Sequence, residues 1–333
     1  MSITAKELAR ILGLSEAAVS MALNHKPGVS TATRGRVLKA AQKYGYDFAR
    51  KKVSGKKGTI CMVIYRRSGA VVSETPFFSA LSGGVSLGCK RAGYDLVLRY
   101  LYEDEDFDDQ LYLISASGFD GLIVLATEME ESLLSHFRQM NLPFVVLDAF
   151  MDSPEYNCVL INNLQGAYLA TRHLITKCKA QPGYLRSSYP ISNFNDRADG
   201  FYKAVRSAGM AAGKSIVHRL TPSQDGAYED MKALLAAGEA LARCYFADND
   251  HIAIGAMTAL KEAGYRIPED VAVIGFDDLP VCEFFDPPLT TIHVPADYMG
   301  ETAVHRLAEM IERAGALPVK IEVGVTLRRR KSV

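Results

Sequence analysis

The chain has 333 residues, 48% of them apolar and 23% charged, with no tryptophan. This composition excludes a collagenous, disordered or membrane-embedded protein and leaves room for two or three folded units. Its 38 basic and 38 acidic side chains cancel, yet residues 1–57 carry 12 Lys/Arg against 3 Asp/Glu, a surplus of nine that the rest of the chain returns as an equal deficit. Such asymmetry describes a small cationic unit suited to a polyanion, joined to a larger acidic unit with a different task.

Thr4 followed by Glu7 is a capping box, in which the hydroxyl accepts from the third helical amide and the carboxylate reaches back to the cap amide. Leu8, Ile11 and Leu12 follow at helical spacing, Gly13 ends the helix, and Ser15 caps a second one carrying Val19, Ala22 and Leu23. Two short helices joined through Gly13 and Leu14 predict a helix-turn-helix. After Lys26-Pro27-Gly28, Ser30 caps a third helix whose Val37, Ala40, Ala41 and Tyr44 are expected to close a small tri-helical core.

From residue 59 the pattern changes. Apolar runs at 59–65, 94–100, 121–125, 143–147, 158–161, 243–247 and 271–275 alternate with amphipathic stretches such as 77–91, 164–176, 197–208 and 252–263. That alternation predicts an α/β domain of two doubly wound parallel-sheet subdomains, with a ligand cleft at the carboxyl ends of the strands.

Other chemistry is set aside. The six cysteines stand singly, without CxxC or a zinc-like spacing, and read as reduced cytosolic thiols; no metal and no cofactor is expected. The amino-terminal residues lack the apolar core of an export signal, so a cytoplasmic protein without membrane contact is expected. Gly84-Val85-Ser86-Leu87-Gly88 satisfies GxSxG, but the spacing of Phe78, Leu81 and Val85 puts Ser86 inside a helix instead of on a nucleophile elbow. No catalytic residue is assigned.

The stretch Ile3-Thr4, Leu8-Ala9, Leu12-Gly13-Leu14-Ser15, Val19-Ser20-Met21-Ala22-Leu23-Asn24, Val29-Ser30, Thr33-Arg34, Val37, Ala40-Ala41 and Tyr44-Gly45-Tyr46 resembles the DNA-binding headpiece of the lactose/galactose repressor (LacI/GalR) family of transcriptional regulators. The resemblance continues through Pro76-Phe77-Phe78, Phe119-Asp120-Gly121, Arg197 with Gly200-Phe201, Asn249-Asp250, Val273-Ile274-Gly275-Phe276-Asp277-Asp278 and Pro288-Leu289-Thr290-Thr291. It implies a headpiece over 1–46, a basic hinge or linker over 47–58, and a periplasmic-binding-protein-like effector and dimerisation domain over 59–333. The chain would cross between subdomains near 161, 289 and 321, giving 59–161 with 289–320 and 162–288 with 321–333.

By that resemblance the second helix lies in the major groove, with Glu16, Ala17 and Met21 at base edges. These offer one acceptor, for instance for cytosine N4, and two apolar groups suited to thymine methyls. Thr4, Ser15, Ser20, Asn24, Ser30, Thr33 and Arg34 match positions at phosphates or in the turn. The family's hinge wedges a Leu into the minor groove. Here that Leu and a preceding Pro-Asn are missing, which leaves Val53 as the apolar substitute and Arg50, Lys51, Lys52, Lys56 and Lys57 to grip backbone.

The matching effector positions are Phe77, Phe78, Arg197, Asn249, Asp277 and Phe285, rings and oriented polar groups suited to a small polar metabolite. The bland alternative makes Phe77 and Phe78 core aromatics and Arg197 with Asp277 a structural ion pair. The expectation is a homodimeric repressor on a roughly palindromic double-stranded operator, controlled by a sugar in first place and a purine or nucleoside in second. A solute-binding protein with the same two lobes is the competing class.

Overall fold

Local caps and a patch of small apolar residues shape the first helices. In the computed structural model, which describes residues 3–23, 28–44, 46, 56–72, 75–313 and 315–333, α1 (Ala5–Leu12), α2 (Glu16–Leu23) and α3 (Thr31–Lys43) open the chain. Thr4 Oγ1 accepts from the Glu7 amide at 3.3 Å and the Glu7 carboxylate accepts from the Thr4 amide at 2.8 Å. Gly13 takes the left-handed conformation at φ 64° that ends α1. Ser15 and Ser30 cap α2 and α3 through the Ala18 and Thr33 amides, each at 3.1 Å.

Leu8, Ala9, Val19, Ala22, Val37, Ala40 and Ala41 form the buried centre, with Leu12, Leu23 and Tyr46 packed on it. Two expected core residues lie outside: Ile11 is 48% and Tyr44 42% exposed. At 100° per residue Ile11 sits about 110° round α1 from the centre of Leu8, Ala9 and Leu12, and Tyr44 follows the last turn of α3.

The first lobe runs β1 (Gly58–Arg66), α4 (Pro76–Ala92), β2 (Tyr94–Tyr102), α5 (Phe107–Ser115), β3 (Gly121–Leu125), α6 (Leu134–Gln139), β4 (Phe144–Leu147) and β5 (Cys158–Ile161). The second runs α7 (Asn163–Cys178), β6 (Gly183–Ser187), α8 (Ser192–Ser207), β7 (Val217–Leu220), α9 (Gln224–Ala236), β8 (Cys244–Ala247), α10 (Asp250–Glu262), β9 (Ala272–Ile274) and α11 (Val281–Phe284). The chain then returns through β10 (Thr291–His293), α12 (Ala296–Glu312), β11 (Lys320–Val323) and β12 (Thr326–Arg328).

The first sheet has the order β11-β5-β4-β3-β1-β2 and the second β7-β6-β8-β9, with every pairing parallel. The inner strands are covered on both faces, which is why β3, β4, β5 and β8 read as unbroken apolar runs. In β1, Ile60, Met62 and Ile64 pack toward Leu81 and Val85 of α4 and Met299 and Leu307 of α12, while Cys61, Val63 and Tyr65 face Leu111, Ile114 and Phe137 on the opposite layer. Gly84 is required by that packing, because a Cβ there would stand 1.9 Å from the Asp297 carbonyl oxygen. Ser86 lies exposed within α4, without the strand-to-helix turn that a nucleophile needs.

Crossings two and three come later than the sequence places them. Leu289 belongs to the core of the second lobe and Thr290 and His293 bridge to Ile274 and Asp277, so the second crossing follows residue 293 and not 289. The third follows Val323, not 321, because all of β11 pairs with β5. Among the described residues no helix is long and apolar enough to cross a membrane, and no group of three or more His, Cys, Asp or Glu side chains is placed to hold a metal ion.

Candidate functional site

Two places on the chain present chemistry: the outer face of α2 and the cleft between the lobes. At 100° per residue Glu16, Ala17, Ser20 and Met21 span about 140° of α2, opposite the buried Val19 and Ala22. Glu16, Ala17 and Ser20 are exposed. Glu16 stands 3.9 Å from Lys6 in a solvated ion pair, a weak restraint. Met21 is half-buried, its sulfur 3.0 Å from where a Gly28 Cβ would stand, and Gly28 has φ 115°. Glycine is thus needed there for its backbone.

Thr4, Ser15 and Ser30 spend their hydroxyls as helix caps, and Thr33 Oγ1 lies 2.8 Å from Ser30 Oγ. Arg34 is half-buried in the first turn of α3. Asn24 and Val53 fall outside the described residues. Lys56 and Lys57, expected to grip backbone, are instead ion-paired to Asp95 and Glu312 of the first lobe; carboxylates close by hold them there.

The cleft encloses a cavity of about 170 Å³ and is lined by Phe77, Phe78, Arg197, Asn249 and Asp277, five of the six residues singled out in the sequence. Phe285 is the exception. Its ring is taken up by the core of the second lobe, with the Lys261 ammonium 5.9 Å from the ring centroid, and so does not line the cavity. Phe77 and Phe78 meet edge to face at 5.0 Å at the start of α4.

Arg197 organises the floor. Its Nε donates to Asn163 Oδ1 at 2.9 Å, Nη1 to the Asp248 carbonyl and Nη2 to Asp277 Oδ1 at 3.3 Å, while the guanidinium lies 3.7 Å from the Phe276 ring centroid. The structural ion pair and the cleft wall are therefore the same residues. Asn249 Oδ1 caps α10 through the Ile252 amide at 2.8 Å, and its Nδ2 approaches the Pro222 carbonyl at 3.5 Å, so it also fixes the loop before α9.

Sequence reading missed the rest of the floor. Asp148, next after β4, accepts from Thr127 Oγ1 at 2.6 Å and from Asn193 Nδ2 at 3.2 Å. It has φ 61° and Asp277 has φ 110°, left-handed backbone that costs energy in a non-glycine residue and clusters at functional sites. Burial pushes the Asp148 carboxyl up to about 7 and that of Asp277 to about 6, against the opposing pull of Arg197. Glu128 is buried and holds the loop over the cleft: Oε2 accepts from the Arg67, Ser68 and Gly69 amides at 2.9, 3.2 and 3.2 Å, and Oε1 from Val71 and Val72 at 2.7 and 2.9 Å. Ser68 Oγ then reaches Tyr189 of the other lobe at 3.0 Å. The available signal was positional, since Asp148 and Asp277 both follow buried strands at their carboxyl ends.

Residues 4–47 match the family described as bacterial regulatory proteins, lacI family, and residues 171–333 match a periplasmic binding protein-like domain. The HTH-type transcriptional repressor PurR of Mannheimia succiniciproducens is 33% identical over 337 residues, covering 99% of this chain and 98% of the relative. Among solved structures, a transcriptional regulator CelR–cellobiose complex superimposes with a TM-score of 0.75 at 24% identity, over 99% of this chain and 100% of that one. A LacI family transcriptional regulator from Enterococcus faecium with bound ribose gives 0.70 at 26% identity, over 82% and 98%.

Proposed function

Because this chain belongs to the LacI family of bacterial regulatory proteins, and is thus a DNA-binding transcriptional repressor with a small-molecule effector and not an enzyme, we propose that the effector is a neutral, hydroxyl-rich molecule of the sugar class held between the lobes. The supporting observation is the balance of acceptors and cations in the cleft. Asp148 and Asp277 face it, while Arg197, the only Arg or Lys among the described residues lining the cavity, is already tied to Asn163, Asp248 and Asp277. Hydroxyl groups donate to such acceptors, and a sugar face packs against Phe77 and Phe78. A phosphate or carboxylate ligand would meet two carboxylates for one cation that is spent. The ribose held by the Enterococcus regulator agrees with this reading.

A purine base is the second reading, favoured by the PurR name of the relative and by the aromatic wall of Phe77, Phe78 and Phe194. Thermal-shift titration with D-ribose, D-glucose, cellobiose, ribose 5-phosphate, hypoxanthine and guanine separates the two, because a ligand that binds only the folded state raises Tm. A neutral sugar is expected to do so. A shift with a purine base and none with any sugar selects the second reading, and a shift with ribose 5-phosphate but not ribose contradicts the charge argument.

On DNA, two copies present two α2 helices to a roughly palindromic operator, with Glu16, Ala17 and Met21 at base edges and Ser20 and Arg34 toward phosphates. Exposed apolar side chains on both lobes support a second copy: Leu98 and Tyr100 on the edge strand β2, 42% and 41% exposed, and Phe284 of α11, 84% exposed.

A further inference from the structure

A second cavity, of about 150 Å³, lies between the ends of β1 and β2 and the first turns of α4. It shares the Phe78 wall with the cleft, but its polar groups, Arg66, Ser79, Ser82 and Tyr100, take no part in the cleft. Arg66 is half-buried and has no carboxylate partner among the described residues. Arg67, the next residue, is paired with Glu103 at 3.6 Å and with Glu130 at 3.5 Å. The Arg66 guanidinium lies 4.9 Å from the Tyr100 ring centroid, a contact that uses its flat face and leaves the N–H fork free. Of that fork Nε is closed to solvent, while Nη1 and Nη2 stay open and have no partner among the described residues.

The hydroxyls around this cation are uncommitted too. Elsewhere in the chain a helical hydroxyl turns back to the carbonyl four residues before it, as Thr258 does to Ile254 at 2.8 Å and Thr302 to Tyr298 at 2.7 Å. Ser79 and Ser82, one turn apart on α4, do not, and neither their hydroxyls nor that of Tyr100 bonds to anything among the described residues. A cation that never loses its proton, partly withdrawn from water without a counter-charge, meets three free hydroxyls on one cavity. Together they form a donor set for an oxyanion.

We propose that this cavity is a second ligand site, which takes a small oxyanion of the phosphate class on Arg66 Nη1 and Nη2, with Ser79, Ser82 and Tyr100 around it. The site goes beyond the reading of the cleft and does not depend on it. In charge the two cavities are opposites. The cleft sets two carboxylates against a cation already bonded, whereas here a cation stands with no carboxylate on the wall. Through Phe78 a bound anion lies next to the effector without sharing its polar contacts.

Full-length protein is titrated with inorganic phosphate and, separately, with ribose 5-phosphate, at an ionic strength held constant with chloride, and followed by thermal shift. Phosphate is expected to raise the Tm of wild type above its chloride control. Arg66→Gln removes an uncompensated charge, so it should keep or raise the unliganded Tm while binding phosphate at least about tenfold more weakly, through loss of the charge-assisted pairs. Arg66→Lys, which keeps the charge without the fork, should recover part of that loss. The double change Ser79→Ala with Ser82→Ala leaves Arg66 in place and should weaken phosphate about fivefold; it carries the test alone if Arg66→Gln does not fold. A shift with both probes that Arg66→Gln abolishes supports the site with the free anion as a sufficient ligand. A shift with ribose 5-phosphate alone, abolished in the same way, supports it with a phosphate ester as the ligand. No shift beyond chloride with either probe overturns the proposal, as does a shift that Arg66→Gln leaves intact, which then belongs to the cleft or the headpiece. Dissociation of the dimer in Arg66→Gln, read by sedimentation, with phosphate binding unchanged gives Arg66 to the second copy and also overturns it. Failure here leaves the reading of the cleft standing.

Discussion

The headpiece and the two-lobed domain hold their chemistry in opposite ways. In the headpiece the centre is a handful of small apolar side chains, and the groups that matter, on the outer face of α2, stand in water. Between the lobes, Asp148, Asn193 and Arg197 are buried and Asp277 is half-buried. Exposed charge is screened by salt and unaffected by modest pH change, whereas buried carboxylates are shielded from salt and displaced in pKa. The two activities of one chain should therefore answer to different solution variables.

Salt gives the largest contrast. Operator affinity should fall about a thousandfold between 50 and 200 mM salt if six or more phosphates are neutralised, while effector affinity changes by less than about twofold; fluorescence anisotropy and calorimetry read the two. Next comes the buried pair. Removing the charge of Asp277 takes away the carboxylate directly paired with Arg197, so Asp277→Asn should weaken effector binding about a hundredfold, within the range for breaking a buried charge pair. Calorimetry against wild type checks it.

A smaller effect follows from pH. Burial raises Asp148 to about 7, with Arg197 and Asp277 as its charged neighbours. A ligand that donates to the ionised carboxylate binds best above that value, so effector affinity should fall about tenfold from pH 8 to pH 6, and Asp148→Asn should flatten the profile. Stability runs the other way. The folded carboxyl binds its proton more tightly than the unfolded one, so this group's contribution is full below about pH 4 and is lost as pH rises toward 7. Denaturant titrations of wild type and Asp148→Asn across that window test the sign. The smallest expected effect is Ser30→Ala, which removes the α3 cap and should cost about 1 kcal/mol of headpiece stability, read by thermal denaturation followed by circular dichroism.

The same contrast explains what could be read from the residue order. Caps at Thr4, Ser15 and Ser30 act over three residues, so the headpiece was legible nearly to the residue. Strands buried on both faces were legible as apolar runs, β3 and β5 to their last residue. Strands β6 and β7 were missed because Arg186, His218 and Arg219 interrupt them. The cleft was legible only where family resemblance marked it, and Phe285 was misplaced because resemblance fixes position in the chain and not side-chain direction. Asp148 escaped because the cleft joins it to Asp277, more than a hundred residues on in the chain, and nothing in the residues around either one announces the other.

The central claim is that occupancy of the cleft changes the affinity of α2 for DNA. Linkage makes this a single measurement: the effector's dissociation constant with and without saturating operator DNA, set beside the operator's constant with and without effector. Both constants should change by the same factor, at least about fivefold, in wild type, and neither should change in Asp277→Asn. An effector constant that is indifferent to bound operator would contradict it.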